Sequence, residues 1–590
     1  MDAFRFSPRP NRAHEVHWRE WGPEALQEAQ RMDRPVILGI SAVWCHWCHV
    51  MDETTYSDPR VIELLNREFI PIRVDHDRRP EVNQRYNMGG WPTTAFLTPQ
   101  GDILTGATYL PPQSLISTAE QIVQYYRTRK AELYSRILEQ RARATPLPSV
   151  APPAPGDVAP KVLSYLTRAY DSEYGGFGQE PKFPQADALE LLLAQYQLSG
   201  EERWGQMAGQ TLRAMASGGL FDHVAGGFFR YSTTRDWSIP HYEKMAEDNA
   251  ALLRVLLHGA LALGDPELAR AAGRTVDYVL AYLYDTGTKA FYGSQDADEE
   301  YYRLPPVERA RREPPLVDRT VYTNWAAAMA AALLEASRVL SRPELEEISL
   351  GSLGFLWDNL YREGRGMGHY HDGQARGEGL LVDQVWMLTA LLDAHEATGQ
   401  ALFLERAEIL ARLVINCYQD PAGGLYDTWQ DYQPLGRLQE KDKGIAENAL
   451  AAEGLARLFH LTGEEDYLKA AQGALLAFGS DYLRFGPYSA VYARAAGWLQ
   501  EEPLLVRIVG RQEATQAWRK TAMAVYHPHL LVQSLDPTRD KRRLTELGLS
   551  TGGGPMAYIC YRGSCSAPIE RLEGMALAML EASAPPGRGA

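Results

Sequence analysis

Ser41-Ala-Val-Trp-Cys45-His-Trp-Cys48-His-Val-Met51 sets the fold of the N-terminal part of the chain. An apolar run, Val36-Ile-Leu-Gly-Ile40, leads into it and is bounded by Pro35, the pattern of a short buried strand. Val50 to Phe69 reads largely as helix, interrupted near Ser57-Asp58-Pro59. Two cysteines, two residues apart, therefore stand where a strand hands over to a helix. A helix N-terminus carries unpaired N–H groups and the positive end of the helix dipole, and both favour a thiolate. Cys45 is the expected nucleophile and Cys48, one turn into the helix, the expected resolving thiol. Thiols in such positions have pKa values lowered to roughly 3.5–7.5. Cys45 to His49 also fits the Cys-x-x-Cys-His pattern of a c-type haem site. That site needs an exported protein, and Met1 to Trp18 has no apolar segment of the secretory kind. A zinc site from Cys45, His46, Cys48 and His49 would need four ligands too close together to close a tetrahedron. Two buried structural cysteines are the remaining alternative. The strand–helix junction favours the dithiol–disulfide reading, with no metal and no cofactor.

Glu24 to Met32 reads as helix ahead of the strand. A second strand, Phe69-Ile-Pro-Ile-Arg-Val-Asp75, comes after the cysteine helix, and a polar helix, about Pro80 to Tyr86, leads to Gly89-Gly-Trp-Pro92-Thr-Thr94. Ala95-Phe-Leu97 and Ile103 to Ala107 form a hairpin about a polar turn, and Leu115 to Arg141 closes the segment as helix. The order β-α-β-α-β-β-α, with its cysteine pair after the first strand and a proline before the hairpin, resembles a thioredoxin fold. In that family the proline is cis and lies beside the dithiol, which the resemblance assigns to Pro92. A proline that merely opens an edge strand is the alternative. Trp44 matches the tryptophan that precedes the first cysteine. His46 and Trp47 fill the intervening dipeptide, and a protonated His46 would stabilise the thiolate and make the pair more oxidising. The buried acid that many thioredoxins carry in the first strand is missing from Val36–Ile40. Asp75, His46 and His49 are the candidates for accepting the Cys48 proton.

The chain of 590 residues has room for two to four domains, and 45% hydrophobic content supports packed cores. A net charge of −15 argues against general binding of nucleic acid or of an anionic membrane. The longest apolar run, Ala326 to Leu334, is too short to span a bilayer. Five cysteines do not make a disulfide framework, so the cytoplasm is the expected compartment, where a Cys-x-x-Cys pair is catalytic or redox-sensing.

Residues 145–160 hold six prolines and read as an extended linker. They separate a thioredoxin-like domain, 1–144, from a region that repeats. Glycine–aromatic turns alternate with helical patterns there, at Gly175-Gly-Phe-Gly, Gly226-Gly-Phe-Phe, Ala290-Phe-Tyr-Gly, Gly368-His-Tyr and Gly423-Gly-Leu-Tyr. An amide side chain also lies fifteen residues before a helix-ending glycine in the pairs Gln185/Gly200, Asn249/Gly264, Gln384/Gly399 and Asn448/Gly463, while Asn324 and Ser341 are two residues out of register. Twelve helices are expected, inner ones starting near Ala186, Glu243, Tyr322, Leu381, Ile445 and Tyr488. Outer ones start near Val158, Glu201, Pro266, Pro343, Ala401 and Glu464. Six of each predict an (α/α)6 toroid over 161–502, with an open α-solenoid the alternative that the same period allows.

In a toroid the inner-helix N-termini and the glycine–aromatic loops share one mouth. The recurring amides would line it, or would only cap helices. The densest polar stretch belongs there: Asp222, His223, Arg230, His241, Glu243, Lys244, Asp248 and Asn249, with Lys182, Asp296 and Asp298 at equivalent ends of neighbouring units. A carboxylate and a histidine at a polar, aromatic-rimmed mouth suit acid–base work on a sugar, although salt bridges and caps explain each residue singly. His369 and His371 are weaker candidates. Residues 503–590 read as a small α/β appendage, in which free thiols are expected at Cys560 and Cys565 ahead of a bridge or a metal pair, and Cys417 is expected in the core of the repeat region.

The whole chain resembles the YyaL-type family of bacterial thioredoxin-domain proteins, which includes a vertebrate spermatogenesis-associated member. The resemblance rests on Cys45-His-Trp-Cys-His-Val-Met51, Asn66-Arg-Glu-Phe69, Val74-Asp75, Gly89-Gly-Trp-Pro92, Phe96-Leu-Thr-Pro99, Pro181-Lys-Phe-Pro184, Gly226-Gly-Phe228, Arg230-Tyr-Ser232, Pro240-His-Tyr-Glu-Lys-Met245 and Asp296-Ala-Asp298. It implies a multidomain α/β plus (α/α)6 architecture similar to glycosidases and N-acylglucosamine 2-epimerases. It assigns no reaction. Three functions fit these residues. One is a thiol–disulfide oxidoreductase whose partners are a protein disulfide client or a thioredoxin-reducing system. Another is a carbohydrate-active enzyme binding a sugar-like small molecule in the barrel. The third is a binding scaffold without chemistry.

Overall fold

A computed structural model describes residues 6–143 and 157–584, apart from 431, 433, 434, 480, 551–553 and 562. Most of the linker expected at 145–160 lies outside the described residues, and helix has begun by Val158. The chain forms two compact units. The first is residues 1–149 together with Gln295–Asp318 and Gln430–Asp442; the second is the rest. Those two stretches fall inside the 161–502 segment in sequence yet pack with the N-terminal unit.

That unit has a four-stranded sheet in the order β2-β1-β3-β4, with β1 Val36–Ser41, β2 Ile70–Asp75, β3 Thr93–Leu97 and β4 Ile103–Ala107. β1 and β2 run parallel, and β3 is antiparallel to β1 and β4. β1 is buried on both faces, which is why it reads as an unbroken apolar run instead of alternating. Val36, Leu38 and Ile40 face a core with Leu26, Ala29, Val82 and Tyr86. Ile37 faces the opposite core with Met51, Val61, Leu65 and Leu115. Leu438 from the 430–442 stretch joins the first core. The stretch is held by Arg85 donating to Glu440 O at 2.9 Å and by Arg437 N–H donating to the buried Tyr86 hydroxyl at 2.8 Å. The expected single helix from Leu115 to Arg141 is two, Pro112–Thr128 and Lys130–Arg143.

The second unit contains the expected toroid. Its inner helices are Ala186–Ser199, Ala246–Leu263, Thr323–Val339, Leu381–Thr398, Ile445–Thr462 and Ser489–Gln500. Its outer helices are Val158–Ala169, Glu202–Ser217, Pro266–Tyr278, Glu344–Leu360, Ala401–Tyr418 and Glu465–Leu476. Each inner helix packs on the next, the sixth packs on the first, and the sixth takes the first outer helix as its partner. The ring therefore closes, which excludes the open solenoid. The inner helices are apolar around most of their circumference because neighbours cover them on every side. Four of them end on a left-handed glycine at Gly200, Gly264, Gly399 and Gly463, the cap that supplies the glycine half of the sequence repeat.

The amide half of the repeat has a different cause. Asn249 Oδ1 accepts the Phe228 N–H at 2.8 Å and its Nδ2 donates to Phe228 O at 3.0 Å. Gln384 clasps Met367, and Asn448 clasps Leu425, in the same two-way manner. All three amides are fully buried. They pin the loop residue that comes after the turn glycines, so they are structural and do not line the mouth.

The appendage is a sheet in the order β6-β5-β7-β8, with β5 Leu504–Val509, β6 Leu530–Leu535, β7 Met556–Tyr561 and β8 Ser564–Cys565. Cys560 and Cys565 face each other across β7 and β8 and are joined in a disulfide. The expectation of free thiols there is corrected: the antiparallel register sets the two residues directly opposite each other. Cys417 is half-buried.

Candidate functional site: a dithiol centre and a toroid mouth

The helix after β1 spans His46–Glu53, and Cys45 is its N-cap. Cys48 N–H donates to Cys45 Sγ at 3.2 Å, and His49 N–H donates to Cys45 O at 3.1 Å. The two cysteines are disulfide-bonded. Cys45 keeps 4% of its surface exposed while Cys48 has none, so Cys45 lies nearer the surface of the two. The Trp91–Pro92 bond is cis, as the fold resemblance implied.

The surroundings contain groups that the sequence reading passed over. The Trp44 indole N–H donates to Asp77 Oδ2 at 2.7 Å, and the Trp44 ring lies edge-on to Trp91 at 5.6 Å. His76 packs on Trp91 at 4.5 Å. Ser41 pairs with Asp75 in the parallel β1–β2 register, so the two strands end side by side. The Asp75-His76-Asp77 turn leaving β2 is thereby set beside the Trp44-Cys45 turn leaving β1. That juxtaposition is inherent in the β-α-β order, which was the available signal. Further along the helix, Asp52 pairs with Arg73 of β2, both side chains fully buried, and the Arg73 guanidinium sits among the rings of Phe6, Trp18 and Tyr56 at 4.5–5.3 Å. Gly39 stands near the Tyr56 hydroxyl, since a side chain there would meet it at 3.2 Å. Trp47 is half exposed and leans on Tyr109 at 5.3 Å and on His46 at 5.8 Å.

Asp296 and Asp298 belong to the first unit, a correction of their placement at the toroid mouth. Asp298 caps a short helix by accepting Tyr301 N–H at 2.9 Å. Asp296 Oδ2 lies 3.8 Å from Nδ1 of His49, whose Nε2 is 2.7 Å from Val43 O. Burial lowers the pKa of His49 against that hydrogen bond, so the ring is neutral at pH 7. Burial, followed by the Asp318 carboxylate, pushes Asp75 up to about 7. A raised carboxyl binds a proton more tightly folded than unfolded. Its stabilising contribution is therefore complete below about pH 4 and is lost as pH rises through about 7. Asp75→Asn is expected to slow hydrogen exchange in Ile70–Asp75 at pH 8 relative to wild type and to leave it unchanged at pH 4. An equal effect at both pH values would show that Asp75 titrates normally.

In the second unit, the polar cluster divides. Lys182 and Lys244 are fully buried and hold Asp171 and Asp222 at 2.8 and 2.7 Å; Lys443 does the same for Asp420 at 2.6 Å. Each lysine also donates to a backbone carbonyl, of Arg235, Gly226 and Gly423 respectively. Each aspartate caps the turn that carries the paired glycines. Gly226 and Gly227 have φ of +83° and +74°, and a side chain on either would strike Arg274 O at 2.3 Å or the Tyr278 ring at 2.4 Å. Lys182, Asp222, Lys244 and Asn249 are thus loop fasteners and not cavity groups. His223 is exposed on the Gly218 carbonyl, and His369 is buried 3.0 Å from Asp383. His241 pairs with the buried Glu243 and stacks on Tyr231, which stacks on Phe183.

Arg230 and Asp248 do line the mouth, a cavity of about 360 Å³. With them are Gln185, Asp187, Glu247 and Asn324, and the rings of Phe183, Trp325, Trp386 and Tyr488. Burial first, then the Glu247 carboxylate, push Asp248 up to about 8 despite Arg230. Asp248 therefore carries a proton at neutral pH.

The opposite half of the toroid axis holds a charged chamber of about 170 Å³ that the sequence reading missed. His258 bridges Glu190 and Glu335, both at 2.7 Å. Arg254 reaches Glu335 and Asp393, and Arg457 reaches Asp393 and Glu396. Burial opposes charge on His258, but the two carboxylates outweigh it and raise its pKa to about 10. Isolated charges recurring inside otherwise apolar helices were the signal for this network.

Residues 9–143 match the family model for a DsbH-type thioredoxin, described as a protein of unknown function, DUF255. Spermatogenesis-associated protein 20 of Homo sapiens is 26% identical over 94% of this chain and 88% of its own length. The thiol:disulfide interchange protein DsbD of Campylobacter jejuni is 32% identical over 73 residues, 12% of this chain and 13% of that protein. The crystal structure of a sugar epimerase from a ruminal bacterium covers 54% of this chain and 84% of its own, at 16% identity and a TM-score of 0.45. Among the described residues no helix is long and apolar enough to cross a membrane. Residues 9–143 thus resemble the thioredoxin-like DsbH, DUF255 domain, in a chain similar over nearly its whole length to spermatogenesis-associated protein 20.

Proposed function

We propose that the chain is a thiol–disulfide oxidoreductase acting on protein clients through Cys45 and Cys48. The observation that carries this reading is Cys45 as helix N-cap, its sulfur accepting the Cys48 N–H, with Cys45 slightly exposed and Cys48 fully buried. The likeness to an interchange protein over 73 residues supports it. In the reducing direction the Cys45 thiolate attacks a client sulfur, forming a mixed disulfide and releasing one client thiolate. Cys48, deprotonated, then attacks Cys45 and expels the second client thiolate. Two electrons pass to the client, and the Cys45–Cys48 disulfide remains for a thiol reductant to reopen. Asp75, with a pKa near neutrality, is the proposed acceptor of the Cys48 proton. Trp47 and Tyr109 offer the client an apolar rim. The full chain should accelerate insulin reduction by dithiothreitol; a rate equal to that of dithiothreitol alone would sink the proposal.

A second reading is favoured by the protonated Asp248 among aromatic rings at the toroid mouth. We propose that this cavity binds a neutral sugar, with Asp248 as proton donor and Trp325 or Trp386 as stacking surface. A panel of neutral mono- and disaccharides should include one that raises the melting temperature of the wild type. Asp248→Asn and Trp386→Ala should each weaken that shift. No shift with any sugar would end this reading.

A further inference from the structure

The Cys560–Cys565 disulfide is built unevenly. Cys565 lies on the exposed strand β8, whereas Cys560 is half-buried on β7. Arg507 on the neighbouring β5 reaches Cys560 Sγ with Nη1 at 3.4 Å while its Nε donates to Gln533 Oε1 at 3.1 Å. Burial and then the nearby Arg543 both disfavour the charge on Arg507, so an anion beside it would be stabilised. Disulfide exchange proceeds through attack on the accessible sulfur and is faster when the departing sulfur is the better-stabilised thiolate. Here the more exposed cysteine is Cys565 and the one beside the cation is Cys560.

We propose that Cys560–Cys565 is a second redox-active disulfide, opened by dithiol attack on Cys565, with the Cys45–Cys48 dithiol as its electron donor. The inference rests on the oxidoreductase reading above. The Cys45 thiolate bonds to Cys565 Sγ, the Cys560–Cys565 bond breaks, and Cys560 leaves as a thiolate beside Arg507. Cys48, deprotonated, attacks Cys45 and releases the Cys565 thiolate. The Cys45–Cys48 disulfide forms, Cys560 and Cys565 take up two protons in place of those lost by the first pair, and two electrons have moved. A thiol reductant, dithiothreitol in the experiment, reopens the first pair. The chemistry is identical whether the donor pair belongs to the same chain or to a second copy.

The test uses the full chain throughout. In Cys48→Ser, Cys45 has no resolving thiol. Peptide mapping should find a Cys45–Cys565 link with Cys560 free for alkylation. With limiting dithiothreitol, Cys560–Cys565 should open at least about tenfold faster in wild type than in Cys45→Ser/Cys48→Ser, because a better-activated thiol carries the attack. Arg507→Gln should slow that opening without changing insulin reduction. A free Cys45 beside an intact Cys560–Cys565 bond, equal opening rates, or a link made through Cys560 would each overturn the inference. If insulin reduction persists in such a result, the oxidoreductase reading stands and only the second centre falls. If insulin reduction is absent as well, both fall.

Discussion

Cys45→Ser is expected to reduce insulin no faster than dithiothreitol alone, while Cys48→Ser accumulates a mixed disulfide with its client. The asymmetry comes from position. Cys45 caps the helix, where unpaired N–H groups and the dipole favour its thiolate, and its sulfur accepts the Cys48 N–H. Serine retains the cap but is a far weaker nucleophile at neutral pH. Cys48 is fully buried inside the first turn, so it meets Cys45 more readily than any outside sulfur. Without it the first exchange proceeds and the second does not. If both variants retained wild-type turnover, the dithiol would have no part in the activity.

Lys244→Met is expected to cost the toroid about 3–5 kcal/mol, the loss typical of breaking a buried ion pair by removing one partner. The Lys244 ammonium is wholly buried and holds Asp222 at 2.7 Å and the Gly226 carbonyl at 2.9 Å, over the Tyr278 ring at 4.1 Å. Removing it leaves Asp222 charged and desolvated. Lys244→Met/Asp222→Leu should recover most of the loss, since an apolar pair of similar volume is often neutral or stabilising. Urea unfolding of the full chain, monitored by helical signal, measures both. A single variant as stable as wild type would show that the clasp does not hold the loop. A double variant no better than the single one would show that the loop needs the turn capped by Asp222 more than it needs neutrality.

Much of this architecture was legible in the residues. Cys45 and Cys48 fell at a strand–helix junction because a short apolar run met a helical pattern at that point. Each of the twelve toroid helices begins within three residues of the position its periodicity gave, from Ala186 to Ser489. Those signals are local. What required the structure was pairing at a distance. Asn249 stands four residues after its helix N-cap and clasps the Phe228 backbone, whereas Asn324 stands two residues after its own and lines the mouth. The two-residue offset puts Asn324 on a different face of its helix from the one the clasping amides use. Asp296 lies in sequence between two toroid helices but packs with the thioredoxin-like unit, near His49. No periodicity encodes such an excursion. Cys560 and Cys565 read as separate thiols because their spacing alone does not fix a hairpin register. Lys182 and Lys244 looked like site residues because a buried lysine and a catalytic lysine have the same letter; only their carboxylate and carbonyl partners distinguish them.

The pH dependence of Cys45 alkylation is the most direct test of an activated dithiol at the helix N-terminus. The reduced full chain is treated with iodoacetamide across a pH series from acid to alkaline, and the Cys45 and Cys48 peptides are quantified separately. The expected result is a midpoint for Cys45 below about 7.5, with Cys48 alkylated far more slowly at every pH. A Cys45 midpoint near the unperturbed value of about 8.5, with the two cysteines reacting alike, would contradict it.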